Sequence, residues 1–134
     1  MRYVVRDLPL EAIHKDAFKA AEATHCARDQ GKYWEMHDRL FANQPQLGRD
    51  DLTRHAKAIG LDTTAFAQCV ASGKHAGTVN KGVADAQELG ATGTPTFFIG
   101  VTGANGEMKA TRLVGAQPYS AFKAAIDRLL AAPK

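Results

Sequence analysis

The residues best suited to chemistry are Gly93, Thr94 and Pro95, in a turn that leads into the apolar run starting at Thr96. Proline has no amide donor and a fixed φ, and it pushes the residue before it towards an extended conformation. We therefore expect the Thr94 amide and carbonyl to face outwards beside a buried strand, where a peptide can add to the edge. Local sequence alone favours a trans Thr94–Pro95 bond, because only about 5–6% of X-Pro bonds in folded proteins are cis.

The chain has two cysteines, Cys26 and Cys69, which lie on separate predicted helices and do not form a C-x-x-C pair. Neither is at the start of a helix, where the helix dipole and nearby cations lower a thiol pKa. A reactive role is therefore not expected for either of them.

The five histidines, at positions 14, 25, 37, 55 and 75, contain no pair with the i, i+4 spacing of a helical metal clamp. A metal site would have to be assembled from distant parts of the chain, so we predict no metal site and no cofactor. His37 and His55 lie on apolar helix stripes and are interpreted as partly buried, hydrogen-bonded core residues.

Composition limits the remaining classes of function. The 134 residues are 45% hydrophobic and 23% charged, which fits one globular domain with a sizeable core. The net charge of +3 comes from 17 Lys and Arg spread among 14 acids, so no nucleic-acid surface is expected. No apolar segment approaches the roughly 18 residues of a membrane span, and the first residues do not resemble a signal peptide.

The chain pattern predicts one strand, a block of helices, a β-hairpin and a closing helix. An aromatic and β-branched run predicts the first strand, and Gly103-Ala104-Asn105-Gly106 predicts a hairpin turn of the Asn-Gly type. Asp50 is a plausible helix cap, as is Asp62 or Thr63 for the next helix. The predicted elements are a strand at residues 2–7, helices at about 16–27, 33–41, 50–59, 62–70 and 74–89, strands at 96–101 and 108–114, and a helix after Pro118.

Three of these helices carry a clear apolar face. The members of each face are Tyr33, Met36, His37, Leu40 and Phe41 in the second helix, Ala76, Val79, Val83 and Ala86 in the fifth, and Tyr119, Phe122, Ile126, Leu129 and Leu130 in the last.

Four stretches, in order and with compatible spacing, resemble the DsbA-like thioredoxin-fold thiol–disulfide oxidoreductases that carry a helical insert. They are Arg6-Asp7-Leu8-Pro9-Leu10, Ala20 to Ala27 with Gln30 to Asp38, Gly93-Thr94-Pro95-Thr96-Phe97-Phe98-Ile99, and Gly115-Ala116-Gln117-Pro118. The resemblance implies one α/β domain over residues 1–134, with residues 1–15 and 91–134 in the thioredoxin core and 16–90 as the insert. It also implies that Pro95 is cis and that Gly93, Thr94 and Pro95 bind substrate.

The resemblance also shows what these 134 residues lack. The family's chemistry belongs to a C-x-x-C pair at a helix start, and this motif and the strand before it are expected ahead of Arg2. The predicted fold is therefore an incomplete thioredoxin-like fold with no catalytic residue of its own. Cys26 and Cys69 are either buried free thiols or a structural disulfide, and the family's extracytoplasmic setting favours the disulfide.

A missing central strand would leave two unpaired apolar edges. We expect either that the first strand moves in to pair with the hairpin, or that a second copy supplies the edge in a homodimer.

Two functions follow from the resemblance. The chain is expected to be part of an oxidoreductase or isomerase acting on cysteine-containing proteins, supplying the proline loop and a helical lid, and to be inactive alone. The alternative is a non-catalytic thioredoxin-like module that binds a peptide or partner; a glutathione-using relative is a weaker third option. The resemblance implies a periplasmic or secreted location.

Overall fold

The computed structural model describes residues 1–131, with six α-helices and one antiparallel pair of strands in that range. This mixed content agrees with the predicted α/β class. No described helix is both long and apolar enough to cross a membrane. The elements are α1 (Ala17–Arg28), α2 (Tyr33–Ala42), α3 (Arg49–Ala58), α4 (Thr63–Ser72), α5 (Ala76–Glu88), β1 (Thr96–Thr102), β2 (Met108–Val114) and α6 (Tyr119–Ala131).

The chain divides into two compact units. The helical unit, Met1–Leu89, holds residues 1–15 and helices α1 to α5, and the hairpin unit, Gly90–Lys134, holds β1, β2 and α6. The single domain expected from the sequence stays a prediction.

The core of the helical unit is built on small residues of α1. Ala23 and Ala27 are fully buried, and their short side chains let neighbouring helices come close. The larger Met36 and Phe66 fill the space that remains, with exposed fractions of 0% and 1%. Phe41, predicted to lie on the same stripe as Met36, is instead 65% exposed. The core cluster contains Ala20, Ala23, Cys26, Ala27, Met36, Leu40, Leu52, Ala56, Leu61 and Phe66.

Two helix starts test the predicted caps. Asp62 caps α4 as predicted, because its Oδ1 accepts a hydrogen bond from the Ala65 amide at 2.9 Å. The cap predicted at Asp50 is wrong, since α3 begins one residue earlier and Gly48 is its N-cap. Asp51 closes that end instead, with Oδ2 accepting from the Gly48 amide at 3.1 Å.

The predicted first strand, residues 2–7, is wrong: these residues pair with no strand, and the described sheet consists of β1 and β2 alone. The idea that residues 2–7 complete the hairpin sheet is therefore wrong as well. This segment is held by helices instead. Asp7 Oδ2 lies 2.6 Å from His25 Nε2 of α1, and a Cβ on Gly82 of α5 would come within 2.5 Å of the Asp7 carbonyl oxygen. A β-prone sequence without a hydrogen-bonded neighbour does not form a strand.

The predicted hairpin is present, with seven paired positions from Thr96 opposite Val114 to Thr102 opposite Met108. Its loop lies between Thr102 and Met108, as predicted, but it is not a turn of the Asn-Gly type. Asn105 has a negative φ, so it does not adopt the left-handed conformation that such a turn needs, and only Gly106 does, with φ of 83°. The Gly106 amide donates to the Gly103 carbonyl at 3.0 Å and closes the loop.

Helix α6 packs on β1 through Phe122 and Phe97, whose ring centres are 4.8 Å apart in an edge-to-face arrangement. Most of the predicted apolar face is on the packed side of the helix, since Phe122, Ile126 and Leu129 are half-buried. Tyr119 and Leu130 are instead 79% and 77% exposed.

Candidate functional site

The Thr94–Pro95 loop is anchored on both sides of Thr94. The Thr96 hydroxyl donates to the Gly93 carbonyl at 2.7 Å, and the Gly115 amide donates to the Pro95 carbonyl at 2.8 Å. The Thr94–Pro95 bond is cis, and both residues are exposed, whereas Gly93 is half-buried. The loop is therefore fixed by its neighbours while its centre faces outwards.

The Thr94 backbone is left unused by this anchoring. Among residues 1–131, no hydrogen bond involves the Thr94 amide or carbonyl. Further back, the loop is held by Arg112, whose Nη1 donates to the Gly90 carbonyl at 3.0 Å. A free donor and acceptor beside the first residue of a strand can pair with one residue of an extended peptide. Residues 90–96 contain no ionisable side chain, so this loop can bind but cannot by itself transfer protons or electrons.

Cys26 and Cys69 form a disulfide that joins α1 to α4, with Cα atoms 5.9 Å apart. This is the structural alternative that the family resemblance favoured. Cys26 is 1% exposed and Cys69 is half-buried, so only one of the two sulfur-bearing residues reaches towards solvent.

Polar side chains surround the disulfide. The sequence analysis assigned none of them to a site. A ring nitrogen of His75 and both sulfur atoms lie within 4.8 Å of one another. Asp29 Oδ2 accepts from Lys74 Nζ at 2.7 Å, lies 2.8 Å from His75 Nε2, and is 4.0 Å from the Cys69 sulfur. The Lys74 hydrogen bond, and then the His75 one, hold the pKa of Asp29 below its ordinary value of 3.8.

No spacing rule could have found this group. Cys26 is on α1 and Asp29 directly follows that helix, but Cys69 belongs to α4 and His75 precedes α5. Only the packing of the three helices brings them together, so the available signal was residue type alone.

A second polar contact lies nearby on α1. His25 is 6% exposed and its ring centre is 5.7 Å from that of His75, while its Nε2 contacts Asp7. Burial raises the pKa of Tyr33, and the negative charge of Asp7 adds to that effect. The contact between Asp7 and His25 holds the segment before α1 against that helix.

Of the two histidines assigned to the core, His55 is 4% exposed and fully hydrogen-bonded. Arg39 Nε donates to its Nδ1 at 3.0 Å, and its Nε2 lies 2.9 Å from the Gln46 carbonyl oxygen. His37 is half-buried beside Asp38, at 2.9 Å.

Curated proteins similar to this chain are named Na(+)/H(+) antiporters. The chain is 43% identical over 99 residues to NhaA 3 of Salinispora tropica, a match covering 74% of this chain and 15% of the antiporter. It is 40% identical over 116 residues to NhaA 1 of Mycobacterium sp. strain KMS, covering 85% and 19%. It is 37% identical over 99 residues to NhaA of Herminiimonas arsenicoxydans, covering 74% and 16%. The chain thus spans less than a fifth of each of these relatives, and no solved structure matches it significantly.

The family comparison covers nearly the whole chain. Residues 4–127 match the family described as the DSBA-like thioredoxin domain, which includes the stretches that carried the resemblance and confirms the predicted fold class. The chain belongs to the DSBA-like thioredoxin domain family.

Proposed function

We propose that this chain takes part in protein thiol–disulfide exchange by holding a cysteine-containing client peptide against Gly93, Thr94 and Pro95. One observation carries the proposal: Thr94 is exposed, and its amide and carbonyl make no hydrogen bond within residues 1–131, in a loop anchored on both sides. Such a pair adds an extended peptide to the sheet edge without reorganising the loop, which lowers the entropic cost of binding.

The proposed role of the chain is to align the client peptide and not to carry out the thiol–disulfide exchange itself. In exchange, a thiolate attacks a disulfide sulfur, a mixed disulfide forms, and a second thiol resolves it. These 134 residues contain two cysteines, which are joined to each other across two helices. The reactive C-x-x-C pair must therefore come from outside these residues, and we keep the role of a lid for the helical unit as the family resemblance implies it.

We place this function outside the cytoplasm, as a periplasmic or secreted protein. The Cys26–Cys69 disulfide supports this, because such bonds persist in oxidising compartments and are rare in the cytosol. We do not carry sodium or proton transport over to this chain from the antiporters' names, since the matched segment is less than a fifth of each of them.

The test is titration of the ¹⁵N-labelled chain with an unfolded cysteine-containing peptide, followed by NMR. We expect the largest chemical-shift changes at the amides of Gly93, Thr94 and Thr96. Thr94→Pro removes the donor and should weaken binding at least about tenfold, because one of the two backbone hydrogen bonds is lost.

The matched control is Thr94→Ala, which keeps both backbone groups and should bind as the unchanged chain does. Equal binding by the Pro and Ala variants, with the rest of the spectrum unchanged, would contradict the proposal. In an insulin reduction assay the chain alone should show no turnover above background, whereas robust turnover would mean that Cys26 or Cys69 is redox-active.

The second candidate is a non-catalytic module that binds a peptide or partner through the same loop. It is favoured by the lack of any C-x-x-C within these 134 residues. Reading the coding DNA ahead of Met1 separates the two. An upstream reading frame that encodes a strand followed by C-x-x-C would support the oxidoreductase, and this chain would then be a truncated form or Met1 a misassigned start. A stop codon immediately ahead of Met1 would support the module.

We also propose that two copies pair through the hairpin. Within the described residues the sheet has two strands, so β1 and β2 each have one unpaired edge, and exposed edges favour pairing with another chain. Light scattering after size-exclusion chromatography should give twice the mass of one chain. A monomer at all concentrations would contradict the dimer.

A further inference from the structure

The disulfide of the helical unit and His75 bring together the atom types that soft metals prefer. Two sulfur atoms and one imidazole nitrogen, from Cys26, Cys69 and His75, lie within 4.8 Å of one another. Cys26 is 1% exposed and His75 is 8% exposed, whereas Cys69 is half-buried, so the group lies at the junction of α1, α4 and the residue before α5 with one side towards solvent.

His75 has the partner that a metal-binding imidazole needs, provided that Nδ1 is the nitrogen that binds the metal. Its Nε2 lies 2.8 Å from Asp29 Oδ2, and that carboxylate is itself fixed by Lys74 at 2.7 Å. In protein zinc sites the histidine ligand usually donates its other ring N–H to a carboxylate, which fixes the ring and raises its basicity. Asp29 is thus placed to act as a positioning residue through His75.

We propose that, once a dithiol has reduced the disulfide, Cys26, Cys69 and His75 bind one Zn²⁺ per chain. The reductant supplies two electrons and two protons and becomes a cyclic disulfide, while the Cys26–Cys69 bond opens to two thiols. Zn²⁺ then displaces one proton from each thiol, and water takes the fourth position.

Charge and donor type favour zinc over a hard cation. Two thiolates and a neutral imidazole neutralise Zn²⁺ and match its preference for sulfur and nitrogen at about 2.3 and 2.0–2.1 Å. Nearby, Asp29 and Lys74 cancel each other's charge. Calcium and magnesium require several oxygen ligands. The oxidised protein has no thiolate to offer, so disulfide and metal are alternatives at one position.

The experiment uses the full chain, oxidised or reduced with a phosphine that is then removed under anaerobic conditions. Zn²⁺ binding is measured by competition with a chromophoric chelator, and Co²⁺ alone reports thiolate ligation through its sulfur-to-metal charge-transfer band. We expect one Zn²⁺ per reduced chain and none in the oxidised chain. His75→Gln should abolish tight binding, and His37→Gln should leave it unchanged.

Asp29→Asn separates positioning from ligation. It should weaken zinc binding about 10- to 100-fold while retaining the charge-transfer band, as expected for a residue that supports a ligand. The control is Asp38→Asn, which alters an exposed carboxylate beside another histidine, His37, at 2.9 Å and should have no effect.

Far-UV circular dichroism provides a second readout in case reduction partly unfolds the chain. If the reduced chain loses helicity, Zn²⁺ should restore it in the unchanged chain and not in His75→Gln. The proposal is overturned by equal zinc binding in oxidised and reduced protein, by tight binding in His75→Gln, or by a reduced chain that binds no zinc.

Discussion

The helical unit buries many apolar residues, whereas the hairpin unit buries almost none. Of the twelve buried apolar residues in the described chain, eleven lie in Met1–Leu89 and only Ala91 lies in the hairpin unit. In the hairpin, Val101, Met108 and Val114 are 61%, 48% and 58% exposed. The helical unit is thus built for burial, whereas the hairpin unit leaves backbone and apolar surface available.

This difference follows from the physics of the two elements. A helix satisfies its own backbone hydrogen bonds, so its apolar face is free to pack, and α1 to α4 share one core. A two-stranded sheet is marginally stable alone and leaves one edge of each strand unpaired. We therefore expect stability to reside in the helical unit and binding in the hairpin unit.

The largest expected effect compares one phenylalanine from each unit. Phe66→Ala removes a side chain that is 1% exposed and should lower the free energy of unfolding by about 3–5 kcal/mol. Phe122→Ala removes a half-buried ring and should cost less than half as much. Chemical denaturation measures both. Phe41→Ala, at a 65% exposed position, should change the free energy of unfolding by no more than about 0.5 kcal/mol. Equal losses of stability at Phe66 and Phe122 would contradict the difference between the two units.

The second effect concerns the cross-link of the helical unit. Replacing both Cys26 and Cys69 by alanine should lower the free energy of unfolding by about 2–4 kcal/mol, because the disulfide closes a long loop with a sequence separation of 43. Urea unfolding with and without a phosphine reductant provides the comparison. The reductant should shift the midpoint of the unchanged chain and not that of the double variant.

A third prediction uses two glycines of α5. Gly82→Ala places a Cβ 2.5 Å from the Asp7 carbonyl oxygen, so the residues before α1 must move, at a cost of about 1–3 kcal/mol. Gly77 has no atom within 4 Å of that position, and Gly77→Ala should raise stability by up to about 1 kcal/mol. Thermal unfolding measures whether each substitution lowers or raises the stability of the chain. Stabilisation by Gly82→Ala would show that residues 1–15 are not held against α5.

The smallest expected effect is the pH dependence contributed by Asp29. Its pKa is lowered in the folded chain, so its contribution is present above its unfolded pKa, near 3.8, and is lost as the pH falls through the lower folded value. Because Asp29 is partly exposed, the ion pair is worth at most about 1 kcal/mol. The stability difference between the unchanged chain and Asp29→Asn should shrink as the pH falls from 6 to 2. A difference that grows in acid would contradict the assignment.

The sequence predicted the elements that depend on local pattern. Helices α1 to α6 and the hairpin are where periodicity and turn residues placed them, and Asp62 is the cap of α4. Predictions that the family resemblance did not supply, or that needed more than local pattern, fared less well, although the favoured Cys26–Cys69 disulfide is present. The β-prone residues 2–7 have no strand partner, Asn105 does not take the conformation of a tight turn, and His75 joins the disulfide only through helix packing.

One buried carboxylate depends on the charge of a lysine at the surface. Glu22 is 1% exposed and neither of its oxygens has a well-aligned hydrogen bond within the described residues, although Lys19 Nζ lies 2.6 Å from Oε2. This ion contact compensates the buried charge, because charge attraction depends weakly on orientation. Neutralising Lys19, for example by acetylation, would leave Glu22 inside the protein without its nearest cation. A lysine that looks dispensable from outside is therefore a point at which chemical modification can loosen the interior.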